Sequence, residues 1–266
     1  MALIRLEVLD GQGRMKAQAE DEKQVILAFK AFYEEGDSIR LTVPQTDRHY
    51  WLRIDDVIEE SLVYLTEREL IFTIPFEEKK KAWNPKAFTG ERHYLTCRPA
   101  EDYEIKSYRN LAKNPMDTCD SQGCYPHASS NLGAGGAFEF AARNAIDGVL
   151  ANHSHGSWPY ASWGIQKRDD AEFSLDFGRP VCFDRIVLRT RADFPHDNWW
   201  VQAALEFSDG TRQTVAMEKT DKGQEFLIKK ENIVWIKIKD LIKSDDPSPF
   251  PALTQIEVYG TEGVME

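Results

Sequence analysis

The stretch Arg143-Asn144-Ala145-Ile146-Asp147-Gly148, answered near the chain end by Gln255-Ile256-Glu257-Val258-Tyr259-Gly260, decides the fold. An Asp-Gly pair marks a turn, and the closing segment alternates as a strand does. Between them, β-rich runs are predicted at 172–177, 182–189, 201–207, 213–217, 225–228 and 233–238, with 255–259 closing the set. Ser208-Asp209-Gly210 signals a hairpin, because Asp-Gly supplies the positive φ angles of a tight turn. Antiparallel strands in this number suffice for a complete sandwich, with a helical turn over 138–146 leading in. The same interval gathers five of the seven tryptophans and three of the six histidines. That is the composition of an aromatic, polar rim, and it points to a binding module rather than a catalyst.

Outward from this segment, residues 1–98 also read as short strands. Leu3 to Val8 alternates, Gln24 to Phe29 is apolar and β-branched, and Ser38 to Val43 alternates after the Glu35-Gly36-Asp37 turn. Further runs at 49–54, 62–65 and 70–74 complete a second sandwich pattern. Glu77-Glu78-Lys79-Lys80-Lys81 reads as a solvated turn. The polar, Gly- and Pro-bearing residues 99–136 read as a connector with a short helix over 102–112. Gly133-Ala134-Gly135-Gly136 lacks the Lys-Ser/Thr and the spacing of a phosphate loop. The expected architecture is therefore all-β: two β-sandwich (jelly-roll) domains, 1–98 and 137–266, joined by 99–136.

A chain of 266 residues supports two such cores without staples. A formal charge of −11 disfavours nucleic acid and anionic membranes as partners, and a neutral ligand is easier to accommodate. The N-terminus lacks a basic-then-apolar secretory run and no apolar stretch reaches spanning length, so the expected location is cytoplasmic. Cys97, Cys119, Cys124 and Cys182 are too few for a disulfide framework and are read as reduced thiols. Cys119-x4-Cys124 with His127 has atypical zinc spacing, and the loop reading is preferred.

Five ordered landmarks carry a family resemblance. They are Ala145-Ile146-Asp147-Gly148; a loop tryptophan, Trp158 or Trp163; Ala171-Glu172-Phe173-Ser174-Leu175-Asp176-Phe177-Gly178; Phe183-Asp184-Arg185-Ile186-Val187-Leu188; and Ile256-Glu257-Val258-Tyr259-Gly260. In this order, over residues 128–261, they resemble a discoidin or F5/8 type C domain, the galactose-binding-like jelly roll that includes many carbohydrate-binding modules. The resemblance implies a structural calcium held by Asp147 and Glu257 with main-chain carbonyls, consistent with calcium's preference for about six to eight oxygen ligands. The loop Val149-Leu150-Ala151-Asn152-His153-Ser154 departs from the family's short version. Asn152 is its best local oxygen donor, and a metal-free hydrogen-bonded turn is the equal alternative.

Two loops, 153–163 and 191–200, are the expected binding face. A sugar needs an aromatic platform for its C–H face and edge-on donors and acceptors for its hydroxyls. Trp158, Tyr160, Trp199 and Trp200 offer platforms; His155, Arg191, Asp193, His196 and Asn198 offer the polar edge. Against this, Trp163 and Trp235 read as core, one of Trp199 and Trp200 must point inward if the pair is extended, and Arg191 with Asp193 can form an internal ion pair. Two enzymatic alternatives use the same loops: zinc on His153, His155 and either His196 or Asp197, or a glycosidase pair of Asp193 and Asp197. A structural or protein-interaction module is the remaining alternative. The reading taken forward is a non-catalytic carbohydrate-binding protein.

Overall fold

A computed structural model describes residues 3–132, 137–194 and 198–264. The first sandwich comprises β1 (Ile4–Leu9), β2 (Met15–Asp21), β3 (Val25–Lys30), β4 (Ser38–Thr42), β5 (Arg48–Arg53), β6 (Ser61–Leu65), β7 (Glu69–Thr73), a one-turn α1 (Glu77–Lys80) and β8 (Arg92–Pro99). Its sheets run β2-β1-β4-β7 and β6-β5-β8-β3, all antiparallel. Alternation explains the layers. Ile4, Leu6 and Val8 face inward from one sheet, and Val25, Leu27, Leu52, Val63, Leu95 and Cys97 meet them from the other. Trp83 and Phe88 close one end, with Trp83 edge-on to Phe72 and Phe88 and those two rings stacked on each other.

From the expected connector, the described residues 99–132 supply elements to both sandwiches. After α2 (Asp102–Ile105), β9 (Arg109–Asn110) pairs with the last strand of the second sandwich; β10 (Cys124–Tyr125) extends the first sandwich beside β6; and β11 (His127–Ser130) returns to the second. One-turn 3₁₀ helices at Phe138–Phe140 and Ala142–Ile146 follow, where the helical turn was expected.

The second sandwich is built on β12 (Trp163–Gly164), β13 (Phe173–Thr190), β14 (Trp200–Phe207), β15 (Arg212–Ala216), β16 (Gln224–Lys243) and β17 (Ala252–Glu262). Four of the separate runs expected from sequence are two long strands, β13 and β16, each turning a corner from one layer into the other. The first half of β13 lies between β11 and the last half of β16; its second half lies between β17 and the start of β16. Inward-facing residues are odd-numbered up to Phe183 and even-numbered from Ile186, and the pairing slips between Phe183 and Arg185. This bulge lets the strand bend while keeping its apolar side chains inside. At the earlier corner Gly178 has φ +66°, and a Cβ there would stand 2.3 Å from the Tyr125 ring. The 208–210 hairpin is a three-residue loop in which Phe207 and Thr211 pair and Gly210, at φ +78°, takes the left-handed position.

The two sandwiches meet through buried charge. Glu262 at the end of β17 receives Arg179 from β13 (Nε–Oε2 2.7 Å), Arg109 from β9 and His49 from β5 (3.3 Å), and the Arg179 guanidinium lies 5.3 Å from the Tyr64 ring. The three cationic or hydrogen-bonding partners hold Glu262 well below the usual carboxylate range despite its burial.

Candidate functional site

A cavity of about 700 Å³ opens between the loops at the β12/β17 end of the second sandwich. The β13 terminus sets it: Thr190 pairs with Leu253, and Arg191 N–H donates to Ala252 O at 3.0 Å, so the chain leaves the sheet alongside the start of β17. On the other side β12 pairs with the same residues, Gly164 against Ala252. Trp163 turns inward, 1% exposed, and the missing side chain of Gly164 admits Phe140, whose Cβ would lie 3.2 Å from an added methyl. Phe140, Ile165 and the Pro249-Phe250-Pro251 run make the apolar wall, and Gln166, Ser248, Arg191 and His155 bring polar groups to it.

The wall is held by directional bonds. Arg191, buried, donates from Nη2 to Phe250 O at 2.6 Å. Asn198, fully buried, donates to Asp246 O (3.1 Å) and Ser248 O (2.7 Å) and accepts from Ser244 Oγ (2.7 Å) and Trp199 N (2.7 Å). Three of these four bonds go to the 244–248 loop and the fourth to Trp199 N, so the buried Asn198 side chain is spent on holding the wall. Flanked by two prolines that restrict its backbone, Phe250 keeps 45% of its surface exposed, with Lys167 Nζ 5.0 Å from its ring. His155 Nδ1 is hydrogen-bonded to Asp193 Oδ2 at the rim.

Of the expected binding residues, His155 and Arg191 line this cavity, Asp193 reaches its rim only through its bond to His155, and the others lie elsewhere. Tyr160 is exposed but does not line it. Trp158 lies in a separate groove of about 200 Å³ against the first sandwich, with its main-chain N–H donated to Lys81 O at 2.8 Å and Trp83, Arg143 and Asp147 as fellow lining. Trp200, expected as a platform, is core: it is 2% exposed, with its ring 6.1 Å from that of Trp163. Its neighbour Trp199 faces outward under Lys219 Nζ at 5.1 Å, as opposite-facing neighbours on a strand must. Trp235, expected in the core, lies half-buried on the outer side of β16, 5.4 Å from Lys237 Nζ. His196 and Asp197 lie outside the described residues. Phe140, Ile165, Gln166 and the 248–252 wall were not foreseen; the one available signal was the Pro247-Ser248-Pro249-Phe250-Pro251 run, which leaves an aromatic ring in a loop between prolines.

Neither metal reading fits the described donors. For the zinc reading, His153 stands 4.0 Å from Asp221 and His155 bonds Asp193, so the two histidines turn to different carboxylates, and the third ligand of that reading, His196 or Asp197, lies outside the described residues. Among the described residues no three His, Cys, Asp or Glu side chains stand together as a metal site would need. Cys124 is buried in the first core and Cys119 is half-buried; both thiols are pushed up by burial. For the implied calcium, Asp147 Oδ1 accepts Val149 N (2.8 Å) and Gln255 Nε2 (2.7 Å), and Oδ2 faces Arg143 Nη1 at 3.9 Å. Glu257 is turned away, receiving Arg189 Nε (2.8 Å) and Tyr259 OH (2.6 Å). Asn152 donates to Thr190 O (3.0 Å) and Asp221 O (2.9 Å). Each carboxylate already has a guanidinium, and the β17 group that meets Asp147 is an N–H donor, which a cation cannot use. Burial pushes the Asp147 carboxyl up to about 6, with Arg143 pulling the other way.

No family model matches the chain, and no curated protein matches it. Three of the solved structures it resembles are sugar-binding modules. Chitosan-binding module 1 from a chitosanase/glucanase of Paenibacillus sp. IK-5 is 17% identical over 57% of this chain and 98% of that one, with a TM-score of 0.38. The lectin domain of Lectinolysin, complexed with Lewis B antigen, is 16% identical over 57% and 96%, at 0.41. The family 32 module of Clostridium perfringens NanJ, in complex with galactose, is 17% identical over 50% and 91%, at 0.37.

Proposed function

We propose that the chain is a non-catalytic carbohydrate-binding protein whose ligand enters the cavity between the β12, β13 and β17 loop ends. The observation that supports this most is the pairing, in one cavity of about 700 Å³, of a half-exposed aromatic ring, Phe250, with the buried Arg191 and the His155–Asp193 pair. A pyranose offers a C–H face to such a ring and vicinal hydroxyls to a guanidinium and a carboxylate. The volume suits a mono- to disaccharide end rather than a buried polymer. The wall is pre-formed, since Arg191 and Asn198 hold the 244–250 loop before any ligand arrives, and a pre-formed site loses less entropy on binding.

Calorimetry over a panel of mono- and oligosaccharides tests this. We expect at least one ligand to bind and Phe250→Ala to weaken it by about tenfold to a hundredfold, the worth of one aromatic stacking contact, with an unchanged circular dichroism spectrum. The oligosaccharides of the same panel should show no increase in reducing ends over a long incubation. Silence across the panel, or indifference of every bound sugar to Phe250→Ala, would overturn the reading.

A further inference from the structure

The geometry points to Arg143 as the resident cation that closes the second sandwich and fastens it to the first, making the closure independent of any metal. A hard cation in this place would gather main-chain carbonyls and a carboxylate. The guanidinium gathers that shell itself: Nε donates to Asp117 O (2.7 Å), Nη2 to Pro115 O (2.8 Å), and Nη1 to Ala82 O (3.1 Å) and Asn144 Oδ1 (3.0 Å), with Asp147 Oδ2 at 3.9 Å. Four hydrogen bonds satisfy most of its five donors. The Trp83 ring closes its face, 4.0 Å from Cζ, and the side chain is 4% exposed. A buried guanidinium so enclosed cannot be displaced by an ion without leaving an unpaired charge inside the protein.

The other half of the closure is Gln255. Its Nε2 donates to Asp147 Oδ1 (2.7 Å) and Asn144 O (2.6 Å), and its Oε1 accepts Gly148 N (3.1 Å). The amide thus ties the Asp-Gly turn to β17 with three hydrogen bonds and no net charge. Arg143 adds what a metal held within one domain would not: Ala82 and Trp83 belong to the first sandwich, so the side chain that neutralises Asp147 also bonds the two bodies together.

Thermal unfolding of the full chain in EGTA and in millimolar calcium checks the first half, and Arg143→Lys checks the second. We expect the wild-type melting temperature to agree within about 1 °C in the two buffers. Arg143→Lys, which keeps the charge but loses the planar fork and its stacking, should lower it by roughly 10 °C, a shift in keeping with a broken buried network in a chain of this size. A fall of several degrees in EGTA that calcium restores would overturn the proposal, and so would an Arg143→Lys variant that melts with the wild type. Neither outcome depends on whether a sugar binds.

Discussion

Gly260→Ala should be among the costliest single-methyl additions in the chain. Gly260 pairs with Phe183 where β17 runs beside β13, next to the bulge that carries β13 round its corner. A Cβ there would stand 2.0 Å from Cys182 O, 2.6 Å from Phe183 Cα and 2.9 Å from Cys182 C, all of them backbone atoms. An ordinary contact begins near 3.4 Å, so β13 would have to retreat by about 1.4 Å at its closest point. That retreat stretches the ladder on which Arg179, Glu262 and the inter-sandwich charges depend. Overpacking usually costs about 1–3 kcal/mol, and here no flexible side chain can yield, so we expect about 3 kcal/mol or more. Gly210→Ala is the internal control: nothing stands within 4 Å of its added methyl, and only its φ of +78° is strained, worth about 1–2 kcal/mol. Urea unfolding followed by tryptophan fluorescence measures both, with the m-value reporting whether the transition stays cooperative. If Gly260→Ala costs no more than Gly210→Ala, the steric reading of the terminal motif is wrong.

Adjacent tryptophans should behave oppositely: Trp200→Ala loses about 3–5 kcal/mol of stability by leaving a cavity beside Trp163, whereas Trp199→Ala stays within about 1 kcal/mol, both read from the same urea curves. Burial holds His49 below its ordinary 6.5, so its contribution is intact above that pH and is lost as the medium acidifies and the unfolded chain alone takes up the proton; His49→Gln should flatten the loss of melting temperature between pH 7 and 5. His127 has the opposite sign: burial lowers it, but the 2.8 Å bond to Asp117 and the negative charges of Asp117 and Asp176 together raise it, so its contribution is present below 6.5 and fades as pH rises through its folded value. Burial pushes the Cys97 and Cys124 thiols far up; peptide mass spectrometry after iodoacetamide at pH 8 should find neither alkylated in the native protein and both alkylated in urea.

The sandwich pattern was legible because apolar alternation survives in most strands: Ile4-Leu6-Val8 and Phe173-Leu175-Phe177 announce their inward faces outright. What escaped has physical causes. β2, Met15–Asp21, is an edge strand with no fully buried residue, so it carries no period to read. β9, β10 and β11 have two to four residues each, too few for any period, and they form because sheet edges of both sandwiches accept them. β13 and β16 read as broken runs because their apolar alternation is interrupted at the corners, by Gly178-Arg179-Pro180 in one and by the polar Lys229-Lys230-Glu231-Asn232 in the other. At the closure, Asp147 was matched to Glu257, whereas its partner is Gln255. The two lie two residues apart and face the same side of β17, so alternation cannot choose between them and only the register of the folded sheet does. Of the cavity's lining, His155 and Arg191 were singled out from sequence by their polar chemistry, whereas Phe140 and Ile165 look like ordinary core residues until the loops are assembled.

The β13–β17 pair joins these separate features into one requirement. At the Cys182–Gly260 end, the strands approach so closely that only glycine fits, and Glu262 just beyond gathers its three partners from both sandwiches. Close to the opposite end, where Gln255 pairs with Arg189, the Gln255 side chain reaches out of β17 to the Asp147-Gly148 turn and, through Asn144 and Asp147, to the Arg143 network. At the Thr190–Leu253 end, the same pair stops and its two chains diverge into the Arg191 and 248–252 walls of the cavity. Cavity width is therefore set by the register of a ladder whose other end is fixed by packing against the first sandwich. A substitution at Gly260 should accordingly weaken ligand binding as well as stability, even though nothing at Gly260 lines the cavity. A Gly260→Ala protein that is destabilised yet binds the proposed carbohydrate ligand with wild-type affinity, under conditions where it remains folded, would mean that the loop walls are held by Asn198 and Arg191 alone and owe nothing to the ladder.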